Sequence, residues 1–200
     1  MPSDRLRSAA ACRGAGALAA LGLAAAGAAG CAAAQTPAPV APAAAVPAAA
    51  QAAPTPPWLV ADSTGRTVTL ALQVTPAPDG GPALINGYRN GELQIVVPLN
   101  WTVQWDWRSV DSTAPHSLVV MVEREKLPTE GGRAAFTNAM TRMVTAGLRP
   151  GQGDRTTFTA DQAGWYWMLD GVPGHAINGE YISLRVDPDA TTAGAVVKRK

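Results

Sequence analysis

Cysteine and histidine are scarce in this chain: two of each occur in 200 residues. Cys12 and Cys31 both fall in the N-terminal leader. The rest of the chain therefore has no disulfide and no thiol, and its stability must come from its own core. Charge is also sparse and balanced, sixteen Lys and Arg against fifteen Asp and Glu. No basic run is long enough to form the electrostatic footprint of a nucleic-acid binder, and Lys198, Arg199 and Lys200 read as a short solvated end. No Gly-rich loop leads from a strand into a helix, and Ser117 beside His116 stands outside any triad pattern. Common nucleotide-binding and hydrolase signatures are therefore missing, and no enzymatic role is expected.

Alanine and proline are in excess at the N-terminus. Arg5, Arg7 and Arg13 precede an apolar Ala/Leu/Gly stretch from Ala15 to Ala29, which ends in small residues before Cys31. That is the layout of a secretory signal, and the stretch falls short of the roughly 20 apolar residues of a membrane span. Ala28-Ala29-Gly30-Cys31 approximates a lipobox, with Ala28 where Leu is more usual. It predicts Cys31 as the lipidated first residue of the mature protein, whereas cleavage near Ala34 would release a soluble form without cysteine. Residues 32–57 alternate Ala with Pro39, Pro42, Pro47, Pro54, Pro56 and Pro57. Such a composition buries little apolar surface and favours extended polyproline II. The expected organisation is a signal segment over 1–31, an Ala/Pro-rich linker over 32–57, a folded domain over 58–188 and a disordered tail over 189–200. The mature protein is expected to be exported to the periplasmic or extracellular face and held at a membrane by lipid, without a transmembrane helix.

From Trp58 onward the pattern changes to short runs with period-two apolar spacing, broken by Gly, Pro, Asn and Asp as in an all-β sandwich. Val68, Leu70, Leu72 and Val74 form one apolar face, and Trp101, Val103, Trp105 and Trp107 another. Further strands are expected over 92–98, 117–123, 155–159, 164–170 and 180–186, seven or eight in all. Between Glu130 and Gly147, Phe136, Met140, Met143 and Val144 recur at helical spacing. A short helix is expected there, with its methionines packed in the core rather than bound to metal.

The two histidines stand far apart in sequence, each at a junction of loop and strand. His116 opens the apolar run Ser117-Leu118-Val119-Val120, and His175 sits in the Gly/Pro-rich loop Gly171-Val172-Pro173-Gly174-His175. Sandwiches bring such loops together at one end, which raises the prospect of convergence on one metal.

The run Trp165-Tyr166-Trp167-Met168-Leu169-Asp170-Gly171-Val172-Pro173-Gly174-His175-Ala176-Ile177-Asn178-Gly179-Glu180 resembles the C-terminal copper loop of sulfocyanin, a cupredoxin, with the pattern Y-Y-x-x-C-G-V-P-G-H-A-x-x-G-M. Pro115-His116-Ser117, and Asn86-Gly87 through Asn100-Trp101, resemble the family's first ligand and the strand before it. The resemblance implies a Greek-key cupredoxin sandwich, copper as cofactor, a part in electron transfer, and a redox or copper-handling protein partner at a membrane surface. Two positions depart from the pattern: Asp170 replaces the thiolate ligand and Glu180 the axial methionine. A blue-copper centre requires the thiolate, so the implied set of His116, Asp170, His175 and Glu180 is a non-blue nitrogen/oxygen site suited to Cu(II) or another divalent ion. Ser117 is expected to donate a hydrogen bond near position 170. Two other readings stay open: a module that binds or delivers Cu(II) without redox cycling, and a metal-free scaffold that serves as an interaction domain.

Overall fold

The computed structural model describes residues 55–198. Residues 1–54, with the expected signal segment, Cys31 and most of the expected linker, lie outside the described residues. Ten strands and one helical turn follow in the order β1 (Leu59–Asp62), β2 (Thr67–Thr75), β3 (Leu84–Ile85), β4 (Leu93–Pro98), β5 (Thr102–Ser109), β6 (Val119–Val122), β7 (Gly153–Thr159), β8 (Gly164–Leu169), α1 (His175–Asn178), β9 (Tyr181–Asp187) and β10 (Gly194–Val197). They form two sheets: β1-β2-β5-β7, with β3 paired to β2, and β10-β4-β9-β8-β6. The all-β sandwich expected from period-two spacing is the observed architecture.

Alternation explains the first sheet. In β2, Val68, Leu70, Leu72 and Val74 turn inward, and in β5 so do Val103, Trp105, Trp107 and Ser109. The two strands run parallel with Leu70 opposite Trp105 and Leu72 opposite Trp107, so large apolar side chains share one face. Burying each such side chain contributes about 1.5–3 kcal/mol. The second sheet completes the core with Ile95, Val97, Tyr166, Met168, Ile182, Leu184 and Val186. Phe158 bridges the packing, edge-on to Trp105 at 5.5 Å and stacked on Phe136 at 5.4 Å.

Three expectations are corrected. The helix expected between Glu130 and Gly147 is absent; the segment runs as turns, and the only helical turn among the described residues is α1. Backbone groups here pair with the open edge of β6 instead of with one another: the Ala135 amide donates to Val120, the Val120 amide to Ala139 and the Thr141 amide to Leu118. Asn138 and Met143 adopt left-handed φ values of 65° and 56°, which no helix continues through. Phe136 is buried as expected, but Met140 and Met143 are exposed rather than core residues. The tail expected to be disordered from residue 189 instead forms β10, antiparallel to β4. Its end is secured where the Lys198 amide donates to Glu92 and its ammonium to Ser183 Oγ. Finally, β1, β3 and β10 are strands that the pattern left unassigned, since two to four residues carry too little alternation to register.

Loop closure near the histidines depends on one glycine. Gly147 has φ +71°, and a Cβ there would stand 2.9 Å from the His116 amide nitrogen, Pro115 Cβ and Val172 Cγ2. Gly147→Ala therefore combines backbone strain with a clash against two site loops, and is expected to lower stability by about 1–3 kcal/mol. Urea unfolding measures this, and an unchanged midpoint would contradict the packing described.

Candidate metal centre

Four segments meet at one end of the sandwich. His116 precedes β6 and is fixed by reciprocal backbone hydrogen bonds with Leu148, 3.1 Å from the His116 amide and 2.7 Å to its carbonyl. Asp170 follows the last residue of β8, and Glu180 precedes the first of β9; Leu169 and Tyr181 pair across these strands. The connecting loop turns back on itself, so the Asp170 amide donates to the Glu180 carbonyl at 3.0 Å. Within the loop, Gly174 (φ 87°) and Gly179 (φ 116°) bracket α1 in left-handed conformations that only glycine adopts at little cost. The turn puts His175 on the pocket side. A neighbouring loop braces it, with the Gly131 amide on Gly171 O at 2.8 Å and the Gly174 amide on Thr129 O at 2.7 Å.

The four side chains named from the sequence converge. Nδ1 of His116 donates to Asp170 Oδ2 at 2.7 Å and Nδ1 of His175 to the same oxygen at 3.0 Å. Glu180 Oε2 lies 3.2 Å from His116 Nδ1 and 2.9 Å from His175 Nδ1. One atom from each residue falls within 4.8 Å of all the others. Glu180 points inward rather than to solvent. His116, Asp170 and Glu180 are buried, while the His175 side chain is 19% exposed and forms the pocket's outer wall.

The outer atoms of the carboxylates are tied down. Asp170 Oδ1 accepts from the Ser117 amide, the Ser117 hydroxyl and the Val172 amide, each at 3.0 Å. Ser117 Oγ in turn accepts the Gly171 amide at 2.8 Å, and Glu180 Oε1 accepts the Ala83 amide at 3.2 Å. These contacts leave Asp170 Oδ2 and Glu180 Oε2 directed at the two imidazoles. Trp167 packs in a small cluster with Val119, Leu169 and Ala176 behind the loop. Trp165 lies away from this cluster, half exposed, with the Arg185 guanidinium 5.1 Å from its ring centre.

Sequence reasoning missed Asp111. Its Oδ2 stands 3.1 Å from Nε2 of His116, on the side of the ring turned away from the pocket. The run Asp111-Ser112-Thr113 carries a turn signature, and Oδ1 of Asp111 accepts both the Thr113 amide and hydroxyl. Nothing in that signature says that the turn folds over a histidine.

Charge follows geometry. Burial works against protonated His116, but Asp170 and Glu180 outweigh it and raise its pKa to about 10. Hydrogen bonding to Asp170, reinforced by Glu180, raises His175 to about 9. Burial favours the neutral forms of Asp170 and Glu180, yet both are held below the usual carboxylate range by the two imidazoliums.

The donor set fits a divalent ion. Nitrogen and oxygen ligands bind such ions at about 2.0–2.2 Å, which puts neighbouring ligand atoms about 3 Å apart, as the four nitrogen–oxygen separations are here. Glu180 Oε2 is buried without a hydrogen bond, although two imidazole nitrogens stand close by. Its partners in the metal-free pocket are the two imidazoliums, at 3.2 and 2.9 Å, and a cation shared with both rings would stand in the place of their Nδ1 protons.

A family model for the sulfocyanin (SoxE) domain matches residues 54–197. No curated protein matches the sequence. Among solved structures, reduced rusticyanin is 20% identical with a TM-score of 0.43, over 62% of this chain and 85% of that one. Rusticyanin from Thiobacillus ferrooxidans is 20% identical with a TM-score of 0.41, over 62% and 83%. Copper nitrite reductase from Nitrosomonas europaea is 22% identical with a TM-score of 0.44, over 62% of this chain and 42% of that one. The family match begins just before β1 and ends with β10, spanning both sheets and both histidine loops, and on that extent the chain belongs to the sulfocyanin family of cupredoxins, whose scaffold carries copper for electron transfer.

Proposed function

We propose that this protein is an exported, lipid-tethered cupredoxin that holds copper as Cu(II) through His116 Nδ1, Asp170 Oδ2, His175 Nδ1 and Glu180 Oε2. The convergence of these four atoms at mutual nitrogen–oxygen distances of 2.7–3.2 Å is the observation that carries the reading. Two imidazoles and two carboxylates form a hard set that prefers Cu(II) to Cu(I). When bound, copper supplies a one-electron couple, and the ligand set places its potential below that of a thiolate centre.

Charge balance supports the same preference. At neutral pH the metal-free cluster holds two imidazoliums against the carboxylates of Asp111, Asp170 and Glu180. Exchanging the two Nδ1 protons for one dication leaves that buried charge unchanged, whereas a monovalent ion leaves it one unit more negative. Changing the net charge of a buried cluster is costly. Electron transfer, where it occurs, therefore runs at low potential, with a redox or copper-handling partner at the membrane. The Cys31 lipobox and the 32–57 linker support that placement, and no helix among the described residues is long and apolar enough to cross a membrane.

Copper titration of the metal-stripped mature protein, read by electron paramagnetic resonance, tests the proposal. One equivalent of Cu(II) with the wide hyperfine splitting of a nitrogen/oxygen site, weak visible absorption, and loss of the signal in His175→Ala are expected. Binding no stronger than in that variant would overturn the copper reading and leave an ion-paired, metal-free scaffold suited to protein contacts.

A further inference from the structure

Asp111 belongs to none of the four pocket positions, and its backbone lies in the turn between β5 and β6. Its side chain is nonetheless enclosed, with the residue 4% exposed. One carboxylate oxygen is bound by the Thr113 amide at 2.7 Å and hydroxyl at 2.6 Å, and the Asp111 amide donates to Val74 O at 3.1 Å. The other oxygen faces His116 Nε2 at 3.1 Å. Burying a carboxylate carries a desolvation penalty, and here the fold orients the group with three separate contacts toward a single ring nitrogen.

His116 must offer a lone pair at Nδ1 to bind an ion, so its remaining proton sits on Nε2. A buried N–H without an acceptor is penalised; Asp111 Oδ2 provides the acceptor. The opposite tautomer directs the Nε2 lone pair at a carboxylate oxygen, which is repulsive. We infer that Asp111 is a positioning residue of the metal centre, holding His116 as its Nε2–H tautomer and, through the imidazole, biasing the centre toward the dication. This rests on the copper reading and deepens it: the centre has three carboxylates, two that would hold the ion and one behind His116.

The two roles separate by substitution. Asp111→Leu removes acceptor and charge at similar volume, while Asp111→Asn keeps an acceptor oxygen and removes the charge. Competition against chelators gives Cu(II) and Cu(I) affinities for the mature protein and both variants at one pH, and nitrogen NMR of the Zn(II)-loaded form reads the His116 tautomer. For Asp111→Leu, Cu(II) affinity is expected to fall about 10–100-fold, the range for lost partners of ligating histidines. For Asp111→Asn, the Nε2–H tautomer is retained and the ratio of Cu(II) to Cu(I) affinity falls about tenfold, raising the reduction potential. Should Asp111→Leu fail to fold, the Asn variant decides alone, because its affinity ratio does not depend on the Leu result. Wild-type ratios in the Asn variant, or wild-type Cu(II) affinity in a folded Leu variant, would overturn the role of Asp111 while leaving the copper site intact. Absence of copper binding by the wild type would overturn both.

Discussion

Asp170→Cys combined with Glu180→Met is expected to turn a weakly coloured copper protein intensely blue. The sulfocyanin loop carries its thiolate and thioether at these two positions, and the structure keeps the surroundings a thiolate would use. Asp170 Oδ2 meets both imidazole Nδ1 atoms, so a sulfur at residue 170 stands opposite the same two nitrogens. The Ser117 and Val172 amides that now bind Oδ1 at 3.0 Å are placed to donate to it. Exchanging two hard oxygens for thiolate and thioether restores the trigonal set of two His and one Cys with a weak axial Met. Strong thiolate-to-copper absorption and a raised reduction potential should appear together, whereas Glu180→Met alone should raise the potential without the band, because the band comes from the Cu–S(Cys) bond. Visible spectroscopy and voltammetry of the copper-loaded variants check this. A double variant that binds copper without the absorption band would show that residue 170 does not reach the ion in the loaded protein.

The strands and the site were legible in the sequence to different depths. β2 and β5 were readable because each alternates over seven or more residues, and one face must be buried wherever that occurs. His116, Asp170, His175 and Glu180 were readable only through the copper-loop pattern, since two carboxylates and two histidines spread over 65 positions carry no periodicity. Asp111 stayed hidden because its role depends on a turn folding over a ring from outside the motif. The segment 130–147 misled because Phe136, Met140 and Met143 sit at helical spacing, yet β6 offered its backbone an open edge, and pairing with that edge won over local helix formation. β10 was missed for a related reason: four residues gain their stability from β4, not from their own pattern. For these two segments the deciding partner is another strand, where local pattern carries no information, whereas Asp111 is only five residues from His116 and was hidden by the fold of the turn between them.

Cu(II) affinity is expected to rise about 100-fold per pH unit from near neutrality up to pH 9, with close to two protons released per ion. Both Nδ1 atoms must lose a proton to bind a metal, and the carboxylates hold His116 protonated to about pH 10 and His175 to about pH 9. Below the lower of these values both protons are present in the metal-free pocket, so each ion displaces two, and the logarithm of affinity climbs by about two per unit of pH. Between pH 6 and pH 8 that amounts to about 10⁴-fold. The metal-free protein responds in the opposite direction. A histidine with a raised folded pKa contributes stability that is complete below its unfolded pKa of about 6.5 and is lost as pH rises through the folded values near 9 and 10. Asp170 and Glu180 have lowered values, so their contribution is present above the ordinary carboxylate range of about 4 and is lost as pH falls. Without metal, stability should therefore be greatest between about pH 4.5 and 6.5 and decline toward alkaline pH. A ligand that binds only the folded state raises the unfolding temperature with its affinity, so the gap between loaded and metal-free protein should widen steadily as pH rises. Calorimetric titration in buffers of different ionisation enthalpy counts the protons, and thermal unfolding across pH measures the gap. Release of one proton or none at pH 7 would mean that the two imidazoles do not both bind through Nδ1, which would dismantle the four-atom centre at its geometric foundation.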